Sequence, residues 1–80
     1  MTKGGKQLNQ TEIAKKLVVL RGDKTQEQVA KAVGISVSAL GMYERGARIP
    51  RDPIKIALAD YYGESVQSIF FDGDSTNRDI

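Results

Sequence analysis

The chain is 80 residues long, 40% hydrophobic and 28% charged, with a formal net charge of +2 and neither cysteine nor histidine. So short a chain buries only about 60% of the surface its unfolded form exposes, enough for one core and no second domain. The missing residue types exclude disulfides, thiolate metal sites and a histidine base, and no glycine-rich phosphate loop follows a strand pattern, so the sequence reads as a non-enzyme with no metal or other cofactor.

Residues 1–7 are polar and glycine-containing and read as a flexible N-terminal arm. A first helix starts after Asn9, which can cap it with Glu12 as capping-box partner while Leu8 staples onto Ile13. Ile13, Leu17 and Leu20 form its apolar face, and Gly22 is expected to end it in the left-handed conformation. Thr25 opens a second helix, with Gln28 at the capping-box position, Val29, Ala30 and Val33 facing inward and Gly34 as the stop. Ser36 caps a third, in which Leu40 and Tyr43 point inward and Gly46 closes the helix. Asp52 and Pro53 read as the N-cap and first position of a fourth, because proline there loses no hydrogen bond. Its buried stripe is expected at Ile54, Ala57, Leu58 and Tyr61, ending at Gly63. A short fifth helix starts at Ser65 and buries Val66, Ile69 and Phe70. Strand patterns are missing, so the expected fold is an all-α bundle over residues 8–71. The body up to Phe71 carries 11 basic and 7 acidic residues, a net of +4, whereas 72–80 has Asp72, Asp74 and Asp79 against Arg78 and reads as an acidic disordered tail. No apolar run approaches the roughly 20 residues of a membrane span and no secretory signal is visible, which predicts a cytoplasmic protein without a membrane partner.

Two short helices meeting at Gly34 have the makings of a helix-turn-helix. Crossing at about 90–120° over a three- or four-residue turn requires a small residue where the backbones approach, and Ala30 is suited to that place. The ordered set Thr25-Gln26-Glu27-Gln28-Val29-Ala30, Val33-Gly34-Ile35-Ser36, Tyr43-Glu44-Arg45-Gly46, Ile49-Pro50 and Asp60-Tyr61-Tyr62-Gly63, closed by Ile69-Phe70, resembles the Cro and phage-repressor type of protein, the xenobiotic-response-element family. The resemblance covers roughly Glu12 to Phe71. It implies a compact five-helix, lambda-repressor-like DNA-binding domain with a helix-turn-helix. The implied function is a sequence-specific regulator of transcription that binds double-stranded DNA, a repressor of phage, plasmid or mobile-element type.

At 100° per residue, Val37, Gly41, Arg45, Ser38 and Met42 occupy an arc of about 140° on the third helix, opposite Leu40, Tyr43 and Ala39. The resemblance implies that this face enters the major groove, which makes those five the expected base-reading residues. Well-known repressors of the family often carry glutamines there, and this chain departs from them. Arg45 alone has a strong directional donor set, while Val37 and Met42 suit thymine methyl groups and Ser38 suits a base or a phosphate. Gly41 costs about 1 kcal/mol against alanine in mid-helix, explained either by drift on a tolerant surface or by close approach of the helix to DNA. Met42 has a second reading too, as a contact with another protein chain. Phosphate contacts are expected from Gln26 and Ser36 at helix starts and from Arg48 and Arg51 beyond the third helix, while Lys3 and Lys6 read either as a loose arm on the backbone or as a charged terminus without a role. Arg21 and Glu44 match a structural pair of the family that braces the recognition helix.

The family also implies a homodimer on a partly palindromic site, for which Ile56, Tyr62 and Phe71 could form a small surface. Nothing after Phe71 is expected to hold a sensor pocket, so no small-molecule ligand is anticipated. The alternative is a protein-interaction adaptor or antitoxin that uses the same fold to bind a protein partner.

Overall fold

In the computed structural model, which describes residues 6–72, the chain's own polar side chains start four of five helices. Asn9 accepts the Glu12 amide at 2.9 Å at the head of α1 (Gln10–Arg21), although Glu12 returns no bond to complete the box. Thr25 and Gln28 exchange both bonds of a capping box on α2 (Gln26–Val33). Ser36 accepts the Ala39 amide on α3 (Val37–Arg45), and Ser65 accepts that of Ser68 on α5 (Val66–Phe70). Each cap satisfies an otherwise orphan amide and is worth about 1 kcal/mol. The exception is α4 (Asp52–Tyr62), whose N-cap is Arg51 rather than Asp52 and makes no side-chain bond. Its carbonyl instead takes the amides of Ile54 and Lys55 at 3.0 and 2.9 Å. Pro53 therefore sits one place further into the helix than expected, still within the turn whose amides have no helical partner.

Ile13, Leu17, Val29, Ala30, Leu40, Tyr43, Leu58, Ala59, Ile69 and Phe70, two from each helix, make one buried cluster. Most of the packing of α3 is against α1, while α2 lies on α3 and α4 and α5 joins α1 to α4. A large side chain buried as fully as Phe70, Leu17 or Leu40 contributes roughly 1.5–3 kcal/mol, more than any one cap. The caps thus fix where helices begin, and the core fixes how they are arranged.

The buried stripe of α4 is Lys55, Leu58 and Ala59, while Ile54, Ala57 and Tyr61 are only half-buried, so the helix is turned about its axis from the expected orientation. Val66 is likewise half-buried. Lys55 can be covered because its aliphatic stem is apolar and its head finds partners. Its Nζ lies 5.4 and 5.9 Å from the Phe71 and Phe70 ring centres and 3.6 Å from Asp52.

Gly46 closes α3 at φ 77° in the left-handed region, with the Ala47 amide on the Met42 carbonyl at 2.9 Å. A Cβ at Gly46 would come within 3.3 Å of the Gln10 carbonyl, because the start of α1 crosses closely over the end of α3. Gly22 also has positive φ, but its ψ of −123° lies outside the left-handed helical region expected for it. That conformation is open to glycine and strained for other residues.

Two short strands, β1 (Lys6–Gln7) and β2 (Phe71–Asp72), pair antiparallel with Lys6 opposite Asp72 and Gln7 opposite Phe71. The Leu8 amide adds a bond to the Phe70 carbonyl at 2.9 Å. A two-residue strand is too short to show alternation, and the ladder left no trace in the sequence pattern. It extends the folded unit into residues read as arm and tail, whose remainders, 1–5 and 73–80, lie outside the described residues. No helix among the described residues is long and apolar enough to cross a membrane.

Candidate nucleic-acid interface

Three residues, Gly34 to Ser36, separate α2 from α3, and Ala30, 1% exposed, packs into the core beside that turn. Leu40 and Tyr43 anchor α3 in the core and leave its opposite side open. Ser38 and Arg45 are exposed there, Val37 is 41% exposed and Met42 is half-buried. Gly41 departs from the expected open arc, for it is buried. A Cβ at this position would stand 3.2 Å from Arg45 Nη1 and 4.0 Å from Gln26 Nε2. Arg45 therefore lies back over its own helix, and the first turn of α2 closes that edge of the arc. The open face runs from Arg45 through Ser38 to Met42, with Val37 at its leading end.

Behind this face a polar network ties three elements together. Glu44, whose side chain is 4% exposed, accepts from Arg21 Nε at 2.8 Å and from Gln26 Nε2 at 2.8 Å. Arg21 also donates through Nη1 to the Lys24 carbonyl at 2.7 Å, so α1, the connection to α2, and α3 share one guanidinium. The bond to Glu44 raises the Arg21 pKa further above its ordinary value, against the opposing cost of burial. Gln26 thus has a structural task besides the phosphate role expected of it. One of its amide hydrogens is committed to Glu44, leaving the other and the backbone amide at the helix start. The Ser36 hydroxyl accepts from Ala39 and keeps its own hydrogen to donate.

Half-buried Ile49 and buried Pro50 pin the connection between α3 and α4, which leaves Arg48 and Arg51 exposed on either side. No side-chain hydrogen bond or ion pair engages Arg45, Arg48 or Arg51 among the described residues. Three guanidinium groups therefore flank the open face of α3 with their donors unspent. Such groups suit phosphate oxygens and guanine edges.

Ile56, Tyr62 and Phe71 do not form the exposed patch expected of them. Ile56 is 55% exposed, but Phe71 packs against the core and Tyr62 against Tyr61, edge to face at 5.2 Å. The Tyr62 hydroxyl is buried without a hydrogen-bond partner among the described residues. Burial, reinforced by the Glu44 carboxylate and opposed by Arg21, pushes its pKa up from 10.0 to about 12. Well below pH 10 the phenol is protonated whether the chain is folded or not; as pH rises through 10 toward 12 the unfolded chain ionises first, and stability falls. Allowing for partial exposure, the loss is about 1–2 kcal/mol. Tyr62→Phe should be neutral or slightly stabilising at pH 7, since it removes an unpaired buried hydroxyl, and should flatten the alkaline decline. Urea unfolding of both proteins from pH 7 to 12 checks this, and identical declines would reject it.

The sequence profile of the helix-turn-helix family matches residues 18–69. Over 45 residues, 56% of this chain, the sequence is 49% identical to the uncharacterized HTH-type transcriptional regulator YazB of Bacillus subtilis (strain 168), and the match spans 65% of that relative. The chain therefore matches slightly less than two thirds of YazB. The solution structure of the SOS-response transcriptional repressor LexA from Eubacterium rectale superposes with a TM-score of 0.77 at 26% identity, covering 95% of this chain and 82% of that one.

Proposed function

The chain belongs to the helix-turn-helix family, and from that premise we propose that it is a sequence-specific, double-stranded-DNA-binding regulator of transcription that acts as a repressor. The observation that carries this reading is one braced helix face, open at Ser38, Met42 and Val37, flanked by three arginines whose donors are unspent among the described residues. In it α3 lies in the major groove. Val37 and Met42 meet thymine methyl groups, Ser38 and Arg45 meet polar base edges, and Gln26, Ser36, Arg48 and Arg51 hold phosphates. The names of the two relatives support it, one being an HTH-type regulator and the other a repressor.

A domain that reads so few base pairs gains specificity by pairing, so the binding unit in this reading is a homodimer. Its half-sites lie about 34–36 Å apart on one face of the duplex. Repression then needs only occupancy of a promoter, as expected of a phage, plasmid or mobile-element regulator. Selection of bound duplexes from a random pool tests the proposal. A partly palindromic site enriched over successive rounds is the expected result, and a pool that stays random would reject sequence-specific binding.

A further inference from the structure

We propose that Gly41 is a positioning residue for Arg45: the missing side chain leaves a seat on α3 for one end of the guanidinium, Nη1, and this seat aims the remaining donors at a guanine edge. The inference rests on the reading of α3 as the groove-facing helix. It begins with a glycine that has no conformational reason to be there. Gly41 does not have a positive φ, as Gly22, Gly34, Gly46 and Gly63 do among the described residues, and it lies in the middle of a nine-residue helix. Glycine is the poorest helix former apart from proline, so α3 would be more stable with alanine.

No backbone from another element needs the space either. The atoms nearest to a Cβ built on Gly41 are side-chain ends, Arg45 Nη1 at 3.2 Å and Gln26 Nε2 at 4.0 Å. Long side chains on a helix lean toward the residue four places earlier, which brings the tip of Arg45 against Gly41. Gln26 forms a fixed wall to the seat, because its amide is bonded to Glu44 at 2.8 Å and Glu44 is held by Arg21. The brace under the recognition helix therefore also shapes the place where Arg45 rests.

A solvated arginine has many rotamers to lose on binding, and a side chain seated in advance loses fewer. The Arg45 side chain makes no hydrogen bond or ion pair among the described residues, so its fork of donors is available on the same face as Ser38. A planar fork held in this way matches the O6 and N7 acceptors of guanine. Alanine at Gly41 would push Arg45 Nη1 outward by a few tenths of an ångström. The displaced atom is the end of a flexible side chain, so the shift costs the fold little while it spoils the aim.

The test is a double-mutant cycle of Gly41→Ala and Arg45→Ala, measuring the melting temperature of the free proteins and titrating a duplex selected by the wild type. Gly41→Ala should raise the melting temperature by about 4–8 °C. It should nevertheless weaken binding by about tenfold and relax preference at the guanine. In the Arg45→Ala background the same change should leave Kd within about twofold. An equal loss in both backgrounds would overturn the proposal and make Gly41 a point of direct contact with DNA. Unchanged affinity on Gly41→Ala would also overturn it. Failure of the wild type to bind any duplex would reject the groove reading itself, and the proposal with it.

Discussion

Arg21→Ala is expected to lower the melting temperature by roughly 10–20 °C, a loss of about 3 kcal/mol in a domain of this size. The reason is the carboxylate left behind. Glu44 is 4% exposed at its side chain and would keep only the Gln26 amide as a partner. Glu44→Ala should cost less, about 1–2 kcal/mol, because Arg21 is 22% exposed at its side chain and can turn to water while keeping the Lys24 carbonyl. The double replacement should be less damaging than the two losses added together, with a coupling of about 1–2 kcal/mol. Additive losses, or Glu44→Ala proving the more damaging, would show that the pair does not brace α3.

Features that depend on a few neighbouring residues were legible in the sequence. Asn9, Thr25, Ser36 and Ser65 cap the helices they precede, since a cap is decided within four residues. The partnership of Arg21 and Glu44 was legible only through the family resemblance, because 23 residues separate them and either charge alone suits a solvated surface. Lys55 was missed because hydropathy counts its charged head and not the stem that α4 buries. The Gly41 seat was missed for a related reason. A helical wheel places a residue on a face but cannot show that Arg45 folds back over that face or that α2 closes its edge. The bond from Gln26 to Glu44 shares that origin, for only the crossing of α2 on α3 brings them together. The two-residue ladder at the chain ends was likewise beyond any periodicity.

Replacing Arg48 and Arg51 together is expected to weaken binding to every duplex alike, by about 10- to 100-fold at moderate salt, and to lower the salt slope by roughly one unit for each phosphate no longer neutralised. Both side chains lie in the connection after α3 and face solvent, where they would reach phosphates and no base edges. Ser38 and Met42 lie on α3 itself, and changing them should alter which sequences are preferred, by about 1–3 kcal/mol for each good base contact. The two classes of residue should respond differently to the same pair of duplexes. If Arg48 and Arg51 variants change the preferred site while Ser38 and Met42 variants keep it, the roles are reversed.

The most direct measurement is a titration of the purified chain against its selected duplex and a scrambled duplex of equal length, repeated from low to physiological salt. If the protein reads DNA through α3, log K should fall linearly with log salt. A dimer holding four phosphates through Arg48 and Arg51 should give a slope of roughly −4, and the selected duplex should bind about a thousandfold more tightly than the scrambled one. Binding that ignores salt, equal affinity for both duplexes, or no duplex binding even at high protein concentration would contradict the account and favour a fold used to hold a protein partner.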